Sequence, residues 1–198
     1  SLDFDLLEPE LVYKEGNIQS VVAFERNEAH QVIEEFMVLA NEAVASFLAR
    51  KNMPLIYRNH PPPALKDLDN LRELLAHFGL HLPPARKLSS SDLQHVLAEV
   101  SGKREEKFIS LQVLKSLSLA VYSAENEGHY GLAKEFYTHF TSPIRRYPDL
   151  CVHRILKKAL RREKSDTSSL SAAALHCSLQ ERKADEAERE LLEWRIYR

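Results

Sequence analysis

The sequence of 198 residues is poor in several features that mark whole classes of protein. Its five glycines form neither a GxGxxG nor a GxxxxGK arrangement, which argues against a phosphate site built from a glycine-rich loop. Its two cysteines, Cys151 and Cys177, are too few for a disulfide framework. No apolar run approaches the roughly 18 residues of a membrane span. We therefore expect a protein of the reducing cytoplasm that does not enter a membrane.

The sequence also lacks an excess of either charge, because 27 Lys and Arg residues balance 29 Asp and Glu residues. A near-neutral total argues against a wholly basic coat for nucleic acid. The charges are nevertheless unevenly distributed: residues 1–35 are strongly acidic, whereas residues 145–164 carry a local net charge of +6. A local phosphate-binding surface is therefore compatible with the balanced total.

The residue pattern predicts an α+β chain that is predominantly α, with a β-hairpin followed by a multi-helix assembly. Two β-branched and aromatic runs flank Gly16-Asn17, which predicts a hairpin over residues 10–24. Apolar residues then recur at intervals of three and four, as in amphipathic helices. The predicted helices cover residues 25–51, 64–78, 89–100, 105–122, a segment from about 147 to 162, and a segment from about 170 to 194.

Two of these helices carry apolar stripes that we expect to be buried. The stripe of the first helix consists of Ala29, Val32, Ile33, Phe36, Met37, Ala40, Val44 and Phe47. The stripe of the fourth helix consists of Phe108, Leu111, Leu114 and Leu117.

The densest polar and aromatic stretch lies between residues 129 and 154. Basic groups interleaved with aromatic rings suit a channel for single-stranded nucleic acid, since the cations bind phosphates and the rings stack on bases. A solvated basic helix explains the same composition about equally well.

Two arginines of this stretch, Arg145 and Arg146, follow a Ser142-Pro143 turn close to the start of a predicted helix. Guanidinium groups and backbone N–H groups at such a place can bind a phosphate together. The alternative is that one arginine pairs with Asp149. Both can hold, because adjacent side chains on a helix point apart.

On the long first helix, four polar residues share one side: Arg26, His30, Glu34 and Asn41. A carboxylate at Glu34 can bind a ribose hydroxyl or orient a partner, although an ion pair on the helix surface is the more ordinary explanation. Metal binding is poorly supported, because the chain has no HExxH motif and no set of convergent carboxylates.

The sequence resembles the ribonuclease II and ribonuclease R family of processive 3′ to 5′ exoribonucleases, whose catalytic domain is the RNB domain. The motifs that carry the resemblance extend from His129 to Ala133 and from His139 to Leu150. Agreement extends over residues 1–4 with Pro9-Glu10, and over residues 25–41, 57–60 and 177–189. The likeness is nearer to the ribonuclease R branch and spans essentially the whole chain.

The resemblance implies a partial RNB fold, with residues 1–198 as the C-terminal portion of the catalytic domain. The aspartates that hold Mg²⁺ in the family, and its flanking OB-fold RNA-binding domains, are then expected outside this chain. The resemblance implies single-stranded RNA as partner, no metal in this chain, inactivity of the chain alone, and self-association through surface that the missing half would cover.

The resemblance also assigns roles to individual residues. Arg145 corresponds to an arginine that contacts the scissile phosphate, and Glu34 to an active-site acid that contacts the last nucleotide. The implied RNA contacts are Phe4, Ser142, Arg146, Tyr137 and Glu188. A non-catalytic helical module that binds RNA or protein on the same scaffold is the alternative.

Overall fold

The computed structural model describes residues 9–14, 17–23, 27–165 and 168–196. It confirms a predominantly helical chain, and the first element that it describes is a β-hairpin. The strands are β1 (Pro9–Lys14), β2 (Asn17–Ala23), β3 (Tyr57–Asn59) and β4 (Val121–Ser123). The helices are α1 (Glu28–Arg50), α2 (Leu65–Ala76), α3 (Ser90–Val100), α4 (Glu106–Ser116), α5 (Tyr147–Leu160) and α6 (Leu170–Ile196), with a 3₁₀ turn at Ala85–Lys87.

The hairpin pairs β1 with β2 in antiparallel register, from Pro9 opposite Ala23 to Lys14 opposite Asn17. The register shifts between Val12 and Tyr13, which marks a bulge. The predicted hairpin is confirmed, while Gly16 of its predicted turn lies outside the described residues.

The chain divides into two compact units. The first contains the described residues up to Phe36 together with residues 62–118, in which α4 packs against α2 and α3. Ser89 and Asp92 form a reciprocal capping box at the start of α3, as their sequence spacing predicts. Gly79, at a φ of +74°, ends α2 where a side chain would be strained. The core of this unit includes Leu68, Leu71, Leu75, Leu93, Val96, Val100, Ile109 and Val113.

The predicted boundary and stripe of α4 are wrong. The helix ends at Ser116 and not near residue 122, and its buried side carries Ile109, Ser110, Val113 and Ser116. The apolar residues Phe108, Leu111 and Leu114 are exposed instead. The reason is that a serine can face a core when its hydroxyl is satisfied: Ser116 Oγ donates to the Val113 carbonyl at 2.7 Å. A periodicity counted on apolar residues alone therefore selects the wrong side of the helix.

The predicted burial of α1 is correct for only part of the helix. Its second half contributes Ala45 and Leu48 to the core of the second unit, and Val44 and Phe47 pack against that core. In the first half, the large apolar side chains are exposed within the described part of the chain. This exposed set consists of Val32, Ile33, Phe36, Met37 and Leu39.

The second unit contains residues 37–61 and 119–198. Strand β3 pairs antiparallel with β4, with Arg58 opposite Tyr122. Neither strand is predicted by the sequence, because three residues are too few to show an alternating pattern. The core lies among β3, β4, α5, α6 and the second half of α1, and it includes Leu48, Leu55, Ile56, Val152, Ile155 and Ala174. In the residues described, no helix is both long and apolar enough to cross a membrane.

Candidate functional site

The stretch between β4 and α5 is irregular, and buried polar side chains of the second unit hold its backbone. Asn59 Nδ2 donates to the Glu125 carbonyl at 2.8 Å, and Asn59 Oδ1 accepts the Glu127 N–H at 3.2 Å. His60 Nδ1 accepts the Gly131 N–H at 3.0 Å. A Cβ at position 131 would lie 2.7 Å from His60 Nδ1, so only glycine fits there. Residues 124–131 are thus fixed by the strand β3 and the residue that follows it.

The next part of this stretch is fixed to the second half of α1. Asn41 is buried, and its Oδ1 accepts the Phe140 N–H at 2.9 Å while its Nδ2 donates to Tyr137 Oη at 3.0 Å. Thr138 Oγ1 donates to the Ile56 carbonyl at 2.6 Å. These bonds satisfy buried polar groups that would otherwise be costly. They also fix the backbone a few residues before the paired arginines.

Two half-buried histidines of this stretch, His129 and His139, are neutral. Burial, together with the positive charges of Arg146 and Arg58, lowers the pKa of His139 to about 2. Burial also lowers the pKa of His129 to about 3, with smaller contributions from His60 and Arg58. The ring of Tyr137 lies edge-on to both histidines, at centroid distances of 5.1 Å and 6.1 Å. These imidazoles are therefore parts of a packed aromatic layer.

Strand β4 links this layer to the terminal helix α6. A hydrogen bond of 2.8 Å joins Tyr122 Oη and His139 Nδ1, and burial raises the pKa of Tyr122 to about 12. The Arg58 guanidinium lies 4.6 Å from the centroid of the Tyr122 ring and donates to Glu181 Oε2 at 2.5 Å. Residues 181–190 of α6 alternate in charge, a pattern that usually marks a solvated face. Glu181 is an exception, because it pairs with Arg58.

The turn before α5 is closed by its own backbone and by Asp149. The N–H groups of Arg145 and Arg146 donate to the Ser142 carbonyl at 3.3 Å and 3.1 Å. Asp149 Oδ1 accepts the Ser142 N–H at 2.8 Å, and both carboxylate oxygens accept hydrogen bonds from the Arg146 guanidinium. Of the two alternatives for these arginines, the pairing with Asp149 therefore applies to Arg146.

Arg145 differs from its neighbour. Its side chain is exposed, and its guanidinium makes no hydrogen bond or ion pair with any residue that the structure describes. Ile144, at the tip of the same turn, is fully exposed. The turn therefore presents one uncompensated cation and one apolar side chain outward.

The structure brings together Ser142, Arg145 and Arg146 among the predicted site residues. Tyr137 lies in the preceding stretch with its ring buried and its hydroxyl bound to Asn41. Glu34 is half-buried on α1, and Glu188 is exposed on the outer half of α6. Phe4 and Arg26 lie outside the described residues. The roles assigned to these residues stay predictions.

Sequence reasoning missed the residues that hold the site in place: Asn59, His60 and Thr138. It placed Asn41 only in a polar row along α1. The signal that was available is the position of Asn41 between apolar neighbours in the half of the helix that is buried. The side chain of His30, in the same row, contacts the start of α1, where its Nδ1 accepts the Asn27 N–H at 3.4 Å.

The described residues do not fit a divalent metal site. No three His, Cys, Asp or Glu side chains among them converge closely enough to hold a metal ion. Mg²⁺ takes carboxylate and other oxygen ligands, and the buried carboxylate of Asp149 is already occupied by three donors.

A family model described as RNB domain matches residues 1–162 of the chain. Ribonuclease R of Aquifex aeolicus is 43% identical over 199 residues, which cover 98% of this chain and 28% of that protein. Ribonuclease R of Escherichia coli is 35% identical over 207 residues, covering 98% of this chain and 26% of that protein. The chain thus spans about a quarter of the length of these relatives.

Solved structures show the same similarity. RNase R of Mycoplasma genitalium, in complex with ribose-methylated single-stranded RNA, superposes with a TM-score of 0.93 at 29% identity. The match covers 99% of this chain and 32% of that one. The same protein in complex with double-stranded RNA matches with a TM-score of 0.92.

Proposed function

This chain belongs to the RNB domain family, and we propose that it forms part of a processive 3′ to 5′ exoribonuclease. The proposed reaction hydrolyses single-stranded RNA and releases nucleoside 5′-monophosphates. The observation that carries the proposal is the exposed, uncompensated Arg145 on a turn fixed by a buried carboxylate, in a chain whose relatives are named Ribonuclease R.

Arg145 suits a role at the scissile phosphate. Charge spreads over the phosphoryl oxygens as a phosphodiester is cleaved, and a fixed guanidinium can meet two of them in a fork. A cation that is already oriented in the free protein needs no reorganisation during the reaction. The backbone around Arg145 supplies that orientation, since two N–H groups of the turn share the Ser142 carbonyl.

The other predicted residues are also proposed to contact RNA. Glu34 would contact the last nucleotide, and Ser142, Arg146, Phe4 and Glu188 would line the path. Tyr137 is also a proposed contact, but its ring is buried, so a direct contact with a base requires the surrounding stretch to open. The basic segment 145–164 offers phosphates a positive surface beside the turn.

The family resemblance also implies Mg²⁺. Because the described residues do not fit such a site, no chemical step through the metal is derived from them. We place the carboxylates that would hold it in a part of the catalytic domain outside this chain, and we propose that the 198 residues alone are inactive.

The test uses the full-length protein that contains this chain, with Mg²⁺ and single-stranded RNA labelled at every nucleotide. We expect mononucleotides from the full-length protein and none from the 198 residues alone. Arg145→Lys should lower kcat by ~10²-fold with little change in RNA binding, because an ammonium group cannot reproduce the fork. Arg86→Lys, at an exposed arginine of the 3₁₀ turn, is the matched control and should behave as the unsubstituted protein. Equal losses of kcat and binding in Arg145→Lys would contradict a role in cleavage.

A second candidate is a non-catalytic module that binds RNA on the same scaffold. It is favoured by the lack of a carboxylate cluster among the described residues. Reading the coding sequence around this chain separates the two, because only the enzyme requires an aspartate cluster there. RNA binding by the 198 residues should weaken steeply with salt under both candidates, so release of mononucleotides by the full-length protein is the deciding result.

A further inference from the structure

Asp149 is the one buried carboxylate among the described residues, with a relative exposure of 0%. A carboxylate removed from water is costly unless it is paired and hydrogen-bonded. Asp149 is compensated by three donors at 2.7–2.9 Å: the Ser142 N–H and the Nε and Nη2 groups of Arg146. It also lies in the first turn of α5, where the helix dipole favours a negative charge. Its charge is thus held in one position.

These bonds attach both ends of a five-residue turn to one side chain. At the start of the turn, the Ser142 backbone is bound to Asp149 Oδ1; at its end, the Arg146 side chain is bound to both oxygens. Arg145 lies between these two attachments, and its side chain makes no hydrogen bond or ion pair with a described residue. The direction in which Arg145 projects is therefore set by groups that Asp149 holds.

We infer that Asp149 is a positioning residue for Arg145, an inference that rests on the proposed role of Arg145 at the phosphate. Asp149 acts in two ways. It fixes the backbone from which Arg145 projects, and it neutralises Arg146, which leaves Arg145 as the uncompensated cation of the turn. Asp149 itself is covered by protein and touches no substrate.

The inference predicts a loss in kcat that exceeds the loss in substrate binding. Attraction of RNA to a basic surface depends weakly on the direction of one side chain, because it is summed over many phosphates. Stabilisation of charge at one reacting phosphate depends strongly on direction, and a misplacement of about 1 Å can cost ~10²-fold in rate. Removing the attachment should therefore impair the chemical step selectively.

The kinetic test compares single and double variants of the full-length protein. Asp149→Asn keeps the side-chain volume but places an NH₂ group where Oδ2 accepts the Arg146 Nε–H, so it loses that bond. It also loses the negative charge that strengthens the bonds from the Ser142 N–H and Arg146 Nη2 to Oδ1. We expect kcat to fall by about 10- to 100-fold, with KM within about 3-fold of the unsubstituted value. The double variant Asp149→Asn with Arg145→Lys should be no slower than Arg145→Lys alone, because Asp149 acts through Arg145. The inference would be overturned if the fold-losses in kcat of the two single variants multiplied in the double variant. An unchanged kcat in Asp149→Asn would also overturn it.

The matched control breaks an ion pair of the same sequence spacing elsewhere. Asp69 and Arg72 on α2 also lie three residues apart, with 3.4 Å between Oδ1 and Nη2, but both are exposed. Asp69→Asn should leave kcat and KM unchanged. Asp149→Glu keeps the charge but displaces the carboxylate by one methylene, so its kcat should lie between those of Asp149→Asn and the unsubstituted protein.

Amide hydrogen exchange tests the positioning without any enzymatic activity. In the unsubstituted protein, the Ser142 amide should be protected although it lies outside helices and strands, because Asp149 accepts its hydrogen. In Asp149→Asn, exchange over residues 142–146 should accelerate by about tenfold or more, while α6 exchanges as before. Rapid exchange at Ser142 in the unsubstituted protein overturns the inference even where a variant fails to fold. Failure of mononucleotide release with normal protection at Ser142 would instead refute the proposed function alone.

Discussion

The stretch of residues 124–146 and the first half of α1 differ in how their side chains are satisfied. The stretch is irregular, yet the buried side chains of Asn41, Asn59 and Asp149 bind its backbone. Its own Thr138 hydroxyl donates to the Ile56 carbonyl. The first half of α1 is regular, yet its large apolar side chains are exposed in the described part of the chain. In this molecule, therefore, a segment with regular secondary structure can leave its apolar side chains exposed, and an irregular segment can be fixed by buried hydrogen bonds.

This difference shows where the stability of the chain resides. Buried polar groups with all partners present fix a unique conformation, and removing one partner leaves another group unsatisfied. Exposed apolar side chains on a helix contribute little to folding, but they favour association with any complementary surface. Substitutions at matched positions can therefore distinguish buried side chains that stabilise the fold from exposed apolar side chains that are available for association.

The largest expected effect contrasts two positions of the same helix. Leu48 is 0% exposed in the core of the second unit, whereas Phe36 is 63% exposed three turns earlier. Leu48→Ala should lower the free energy of unfolding by about 2–5 kcal/mol through lost burial and a residual cavity. Phe36→Ala should change it by less than about 0.5 kcal/mol. Urea unfolding of the 198 residues followed by circular dichroism measures both, and similar losses would show that the first half of α1 is covered.

A smaller effect should follow from acid. The pKa values of His129 and His139 are lowered from 6.5 to about 3 and about 2, so the unfolded chain binds protons before the folded one. Their contribution to stability is complete above pH 6.5 and is lost progressively as the pH falls towards 3. At pH 5 each of these two histidines should lower the free energy of unfolding by about 2 kcal/mol relative to pH 7.

His139→Gln should remove about half of this loss between pH 7 and pH 5, since glutamine does not titrate. His176 is exposed on α6, and His176→Gln is the matched control that should keep the full pH dependence. Urea unfolding at both pH values gives the comparison. An unchanged pH dependence in His139→Gln would mean that this imidazole is accessible to protons in the folded state.

Much of the architecture follows from local sequence. Two short β-rich runs predict the hairpin, and the capping residues Ser89 and Asp92 predict the start of α3, because these signals lie within a few residues of each other. The contact of Asn59 with Glu125 joins residues 66 positions apart, and no local pattern encodes it. Strands β3 and β4 depend on such distant pairing. For this reason the arginine pair of the site is visible in the sequence, and the residues that position it are not.

The first half of α1 shows a further limit of sequence patterning. Apolar periodicity correctly predicts that a helix has an apolar face, but it does not identify which segment covers that face. The pairing of Arg146 with Asp149 was one of two alternatives from sequence, and only the three-dimensional position of Ser142 shows that the same carboxylate also binds the backbone. In both examples, the deciding contacts come from residues that a local sequence pattern does not include.

The smallest expected effect concerns association of the 198 residues. The exposed side chains of Val32, Ile33 and Phe36 lie on adjacent turns of α1, so they form an apolar surface that water solvates poorly. We expect dimers or soluble oligomers in sedimentation velocity at high concentration. Phe36→Glu should weaken association about tenfold or more, because it removes a partly buried aromatic ring from the contact and adds a charge. Gln31→Glu adds the same charge at an exposed polar position of the same helix and should weaken association less. A monomer at the highest concentration would show that this apolar surface does not associate with itself, and its contrast with the stretch of residues 124–146 would then have no consequence for assembly.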